Sequence, residues 1–189
     1  MNRREAISRV ALIMGGTIIS AEYFLSGCKP APVKVTELFD KQHIKFLDEV
    51  GDTILPATKT PGAKDVHIGS FMALMVRDCY NPENQQIFVN GVTQLNDGCK
   101  QKYNRDFLGC SLAQRTEFLT LLDKEQKEYT HNKKEEQPHH YFRMMKELTL
   151  LGYFTSEQGC TLALRYLPVP GKYDGSMPYK KGDKAWATA

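Results

Sequence analysis

Residues 66–79 read VHIGSFMALMVRDC, and their spacing decides the fold. Ile68, Phe71, Met72, Met75, Val76 and Cys79 fall on one stripe of a 3.6-residue period, close to the ideal amphipathic helix. Working outward, the same period recurs on both sides. Upstream, Phe39, Phe46, Leu47, Val50 and Ile54 predict a helix that opens at Thr36 and is stopped by Pro56. Between the two lies TKTPGAKD (58–65), a loop with a Pro61-Gly62 turn. Downstream, Asn81-Pro82 breaks the chain and restarts it, since proline suits a first helical turn.

A third helix runs from about Glu83 to Tyr103, with Phe88, Val92, Leu95, Cys99 and Tyr103 as its stripe. Gly91 and Gly98 cost about 1 kcal/mol each there against alanine and would permit close helix contact. Ser111 with Gln114 three residues on resembles a capping box and opens a fourth helix to about Tyr129. Leu112, Leu119, Leu122 and Tyr129 are its expected inward residues. The fifth helix covers about His139 to Phe154, with Met144, Met145, Leu148, Leu151 and Phe154 inward, and Thr155 with Gln158 is a possible cap for a sixth ending near Tyr166. There is no alternating strand pattern of any length. The expected fold is therefore all-α: a single compact bundle of about five or six helices over 36–167. An extended, irregular tail follows over 168–189, where Pro168, Pro170, Gly171, Gly175, Pro178 and Gly182 forbid regular structure.

The front of the chain reads MNRREAISRVALIMGGTIISAEYFLSGC. Arg3, Arg4 and Arg9 form a basic head, and the apolar run after it is shorter than the roughly 20 residues of a membrane span. It has the size and small-residue exit of a secretory signal. The paired Arg3 and Arg4 resemble a twin-arginine export signal. Leu25-Ser26-Gly27-Cys28 resembles a bacterial lipobox, in which cleavage leaves the cysteine first and its thiol carries diacylglycerol. The expected organisation is an export signal over 1–27 and a lipidated tether over 28–35. The helical domain would then sit on the periplasmic side of a bacterial membrane, inner or outer. The alternative is a buried N-terminal helix that ends in a core cysteine.

Net charge is +3 over 189 residues, and basic residues alternate with acidic ones, so no nucleic-acid footprint is present. With Cys28 assigned to lipid, Cys79, Cys99, Cys110 and Cys160 remain. In an exported protein these could pair as disulfides or stay as free core thiols. No phosphate cradle, H-E-x-x-H or Cys/His cluster occurs. His139 and His140 diverge on a helix and suit a solvated or N-terminal-turn role, and His67 lies near a helix start. Asp52 and Asp65 are more readily caps or ion-pair partners than catalytic acids. No catalytic, cofactor-binding or metal residue is expected in this chain. Tyr166, Tyr173, Tyr179 and Trp186 give the tail the aromatic anchors of a partner surface, or a cover for its own core.

Two blocks carry a family resemblance. FLDEVGDTILPATKTPGAKDVHIGSFM (46–72) resembles the opening signature of gluconate 2-dehydrogenase subunit 3, the small or gamma subunit, at Ile54-Leu55-Pro56-Ala57-Thr58, Thr60-Pro61-Gly62-Ala63 and Asp65. LTLLGYFTSEQGCTLALRYLPVPGKYDGSMPY (148–179) resembles its closing signature, through Gly152, Tyr153, Gly159, Tyr166, Pro168, Pro170, Gly171, Tyr173, Gly175 and Pro178. The resemblance covers most of residues 36–179. It implies a non-catalytic accessory subunit that aids export, maturation, stability or anchoring of a large flavoprotein of the glucose–methanol–choline type. That partner would hold FAD and oxidise a sugar or sugar acid, and a c-type cytochrome with haem c would take the electrons. The contact candidates are Pro56, Thr60, Pro61, Gly62 and Asp65 in the loop and Pro168, Pro170, Tyr173 and Tyr179 in the tail. Two other classes compete: an independent carbohydrate-active enzyme using Asp52, Asp65 or His67, and a solitary lipoprotein that binds carbohydrate or protein.

Overall fold

Asp40 sets where the first helix begins. Its backbone is extended, and its carboxylate accepts from the Gln42 and His43 N–H groups, both at 2.8 Å, satisfying two donors that a helix start leaves free. The helix α1 therefore runs Lys41–Ile54, not from Thr36 as its stripe alone suggested. The computed structural model describes residues 39–169, 171–172 and 174–187. Arg3, Arg4, Cys28, Pro170 and Tyr173 lie outside the described residues.

Four more α-helices follow: α2 Ile68–Cys79, α3 Pro82–Tyr103, α4 Leu112–Asn132 and α5 Tyr141–Thr155. Two 3-10 turns, Lys64–Val66 and Phe107–Gly109, and a π-helical turn, Gly159–Ala163, complete the order. The sixth helix is thus a single π turn. Its entry is made by Ser156, whose hydroxyl accepts from the Gly159 N–H at 3.0 Å, and Thr155 instead donates back to the Leu151 carbonyl. The predicted capping box is present, with Ser111 and Gln114 each serving the other's backbone. Among the described residues no helix is long and apolar enough to cross a membrane.

The bundle closes around α1 and α2, its most extensive helix pair. Leu47, Val50, Ile68, Met72 and Val76 from this pair are fully buried with Phe88, Leu95, Phe107 and Met145. Gly69 brings the two backbones together. A Cβ at Gly69 would lie 2.3 Å from the Ile44 carbonyl oxygen, and the Gly69 N–H donates to the Asp48 carboxylate at 2.7 Å. Gly91 and Gly98 do the same for α3, receiving the Tyr141 and Phe118 rings.

Inward assignments on three helices are corrected. Cys79, the last residue of α2 and of its expected stripe, is exposed. Leu112, at the first position of α4, is 62% exposed. On α5 the buried residues are Phe142, Met144, Met145, Leu148, Thr149, Gly152 and Tyr153, which share one face. Leu151 and Phe154 fall on the other side at helical spacing and are 47% and 38% exposed.

His140 caps α5 with its ring. Its Nδ1 accepts from the Phe142 N–H at 3.2 Å, the ring stacks on Tyr141, and Nε2 lies 3.7 Å from the Glu125 carboxylate on α4. Burial lowers the pKa of this imidazole, and Glu125 opposes that only in part. A lowered folded pKa means that the unfolded chain binds the proton more readily. Stability is therefore expected to fall as pH drops below 6.5, the ordinary value, through the lowered folded one. A chemical-denaturation series across this range would show the slope, and His140→Asn, which keeps a cap, should remove it.

Candidate functional site

The two signature segments do different work. In the first, Leu55 closes α1 through its N–H to the Gly51 carbonyl, and Pro56 prevents continuation. The Ala63 N–H then donates to the Leu55 carbonyl at 2.9 Å, and Asp65 accepts from the Gly62 N–H at 2.7 Å. The Tyr153 hydroxyl of α5 donates to the Pro61 carbonyl at 2.6 Å. A Cβ at Gly62 would sit 2.5 Å from the Ala57 nitrogen, so the turn needs glycine there. Thr60 and Pro61 are half-buried and Gly62 and Ala63 buried, while Pro56, Ala57, Thr58 and Lys59 face outward. The candidates Pro61, Gly62 and Asp65 thus hold the loop's own shape.

Beneath the loop lies an ion-pair centre. Glu49 of α1 meets Lys64 at 2.5 Å and Arg115 of α4 at 2.6 Å, and the Glu49 and Arg115 side chains are only 15% and 14% exposed. Arg115 also donates to the Phe107 and Leu108 carbonyls and lies over the Phe107 ring. Burial pushes the Glu49 carboxyl up, and the hydrogen bonds from Lys64 and Arg115 outweigh it and hold it below its ordinary range. Nearby Asp52 is raised by burial, with Glu49 and Asp65 adding repulsion. The structure therefore brings Asp52 and Asp65 near one another. His67 stands apart, exposed, as the left-handed link between the 3-10 turn and α2.

Two open surface grooves lie elsewhere and do not use these groups. The larger, about 620 Å³, lies between α4 and α5 and is lined by Gln126, Thr130, Arg143 and Lys146 among others. The smaller, about 200 Å³, is lined by Thr53, Leu119, Asp123 and Phe142 among others. Among the described residues no group of His, Cys, Asp and Glu is assembled to hold a metal ion. Cys79, Cys99, Cys110 and Cys160 are free thiols where a disulfide was among the expectations. Cys99 and Cys110 are both buried and neighbour one another, and burial pushes the Cys99 thiol up to about 12, so it stays protonated.

The second signature segment ends in a surface. After the π turn the described chain is irregular and exposed, as expected, and its end returns to Arg165. The Arg165 N–H donates to the Ala185 carbonyl at 2.8 Å, and the Ala187 N–H donates to the Arg165 carbonyl at 2.9 Å. This is an isolated parallel bridge between Arg165 and Trp186, and the Arg165 guanidinium lies 4.7 Å above the Trp186 ring. Lys184 donates to the Leu162 carbonyl, and Arg165 reaches the Met177 sulfur. Every described residue from Tyr166 to Trp186 is exposed, so this segment does not cover the core. Val169 and Tyr179 are 79% and 77% exposed. Of the tail candidates, Pro168 and Tyr179 therefore stand free on the surface.

Sequence reasoning assigned no role to Glu49 or Arg115, and marked Tyr153 only as a signature residue. Tyr153 reaches a carbonyl 92 residues away, and Arg115 a carboxylate 66 away.

The model of one protein family, described as gluconate 2-dehydrogenase subunit 3, matches residues 41–171, more than half of the chain. No curated protein and no solved structure matches.

Proposed function

The chain belongs to the gluconate 2-dehydrogenase subunit 3 family, and from that membership we propose that it is a non-catalytic accessory subunit of a membrane-associated, FAD-dependent dehydrogenase of sugars or sugar acids. The family match carries this reading, and the exposed aromatic tail supports it. The partner is a flavoprotein of the glucose–methanol–choline type, with a c-type cytochrome as the electron acceptor. FAD and the hydride chemistry belong to the partner. This chain covers apolar partner surface and stabilises the partner's native state by linkage, since what binds only the folded form shifts folding toward it. Export directed by Arg3 and Arg4 carries both chains across the membrane, and lipid on Cys28 holds the complex on the periplasmic side. The lipid also fixes the tether over 28–35.

The test is to express the flavoprotein with and without this chain and measure flavin-loaded flavoprotein in the periplasmic and membrane fractions. Omitting the chain should lower that amount at least about tenfold, a change equivalent to roughly 1.4 kcal/mol of lost stabilisation. Equal flavin loading and export in both strains would overturn the reading. In the same strains Cys28→Ala should move the complex from the membrane to the soluble periplasmic fraction.

A further inference from the structure

Resting on the accessory-subunit reading, we infer that the docking face for the dehydrogenase partner is the outer side of the last turn of α5 together with the π turn and the Arg165–Trp186 clasp. The Pro56–Asp65 loop is not that face. The surface it fits has an apolar centre and an acidic border.

The loop is excluded by how its signature residues are used. Asp65 serves Gly62, the Pro61 carbonyl serves Tyr153, and Gly62 and Ala63 are buried. The Pro61 carbonyl and the Asp65 carboxylate are thus taken up by internal contacts, and the outward residues Pro56 to Lys59 add no large apolar side chain.

The clasp face is built in the opposite sense. Leu151 and Phe154 share the outer side of α5 one turn apart and are exposed. Cys160 Sγ lies 3.1 Å from the Phe154 carbonyl, which holds the π turn to the end of α5. The Leu162 carbonyl is held by Lys184, beside Trp186, and Trp186 is held by Arg165. Leu151, Phe154, Leu162, Tyr166, Leu167 and Trp186 are each between 38% and 47% exposed along this path. Soluble chains rarely leave so much apolar surface together unless something covers it. Aromatic residues dominate the energetics of such contacts.

The face is also pre-shaped. The bridge between Arg165 and residues 185–187 closes the segment before any partner arrives, which lowers the ordering cost of association. Over residues 164–187 five basic side chains, Arg165, Lys172, Lys180, Lys181 and Lys184, stand against Asp174 and Asp183. That balance calls for an acidic border on the partner. A protein surface suits the face better than a bilayer. The backbone N–H and C=O groups of the irregular segment can pair with a protein rim, whereas hydrocarbon leaves them unsatisfied.

The experiment uses the full chain with an epitope tag in the exposed turn at 134–136, purified from detergent-solubilised membranes of its own host. Flavin and flavoprotein are measured per mole of captured chain. Leu151→Glu with Leu162→Glu should lower the captured flavoprotein at least about tenfold, as for loss of an interface hot spot, while Thr58→Glu in the loop leaves it within about twofold. Circular dichroism of each variant checks the fold. A second pair, Tyr166→Glu with Leu167→Glu, lies outside the helices and repeats the test should the first pair not fold. Undiminished flavoprotein with either folded pair overturns the inference, as does selective loss with Thr58→Glu. Variants that alter only self-association by light scattering, or only flotation with lipid vesicles, overturn it in favour of a second copy or a membrane surface. A wild-type chain that captures no flavoprotein overturns the accessory-subunit reading itself.

Discussion

Replacing Gly69 with alanine should destabilise the protein by about 3 kcal/mol and lower its Tm by about 6–12 °C, the scale of overpacking in a domain of this size. The new methyl group would meet the Ile44 carbonyl oxygen at 2.3 Å and the Asp48 nitrogen at 2.9 Å. Both are main-chain atoms of α1, so relief requires the principal helix pair of the bundle to separate. The Asp48 carboxylate that accepts from the Gly69 N–H would be displaced with it. Gly98→Ala is the contrasting case. There the Cβ meets the tip of the Phe118 ring at 2.5 Å, a side chain that can rotate away. The helix-propensity gain of about 1 kcal/mol offsets much of that clash, so thermal denaturation should separate the two variants clearly.

Removing Glu49 should cost about 3 kcal/mol, because a largely buried guanidinium loses its carboxylate. Arg115 is 14% exposed at the side chain and keeps its two carbonyl acceptors and the Phe107 ring but no counter-charge. Lys64, half-exposed, contributes little to this figure through solvent screening. The pH dependence identifies the cause. Lys64 and Arg115 hold the folded Glu49 carboxyl below its ordinary value of 4.5 against the opposing effect of burial. Its contribution is therefore complete above 4.5 and is lost as pH falls through the lowered folded value. Glu49→Gln should flatten that part of the acid limb in denaturant titrations. Asp52 acts with the opposite sign: burial raises it, so its ionisation weakens the fold as pH rises above 3.8, and Asp52→Asn should remove that slope.

Periodicity located every α-helix among the described residues because each buries one face, and that face repeats along the sequence. The capping box at Ser111 was legible at the level of single residues, and so was the stripe of α2 apart from Cys79, which is exposed at the helix end. Helix starts were less so. The cap of α1 is Asp40, through a carboxylate that reaches two N–H groups, which composition does not reveal. Leu151 and Phe154 look like core by hydrophobicity alone, and only the phase of Met144, Leu148 and Gly152 shows them to be outward. The signatures were visible, but their roles were not. The loop's meaning depends on Tyr153, far along the chain, and the tail's on a bridge from Arg165 to residues 185–187 that no local pattern encodes.

The central claim is that this chain works as a non-catalytic subunit bound to a flavoprotein. Its most direct test is the native mass and visible spectrum of the tagged chain purified from detergent-solubilised membranes, with co-purifying chains identified by mass. The account predicts one species in fixed stoichiometry with a large dehydrogenase chain and an oxidised-flavin band, whose sugar-oxidising activity is absent from the isolated small chain. A colourless chain recovered alone under conditions that preserve membrane dehydrogenase complexes, or one that oxidises sugars by itself, would contradict it.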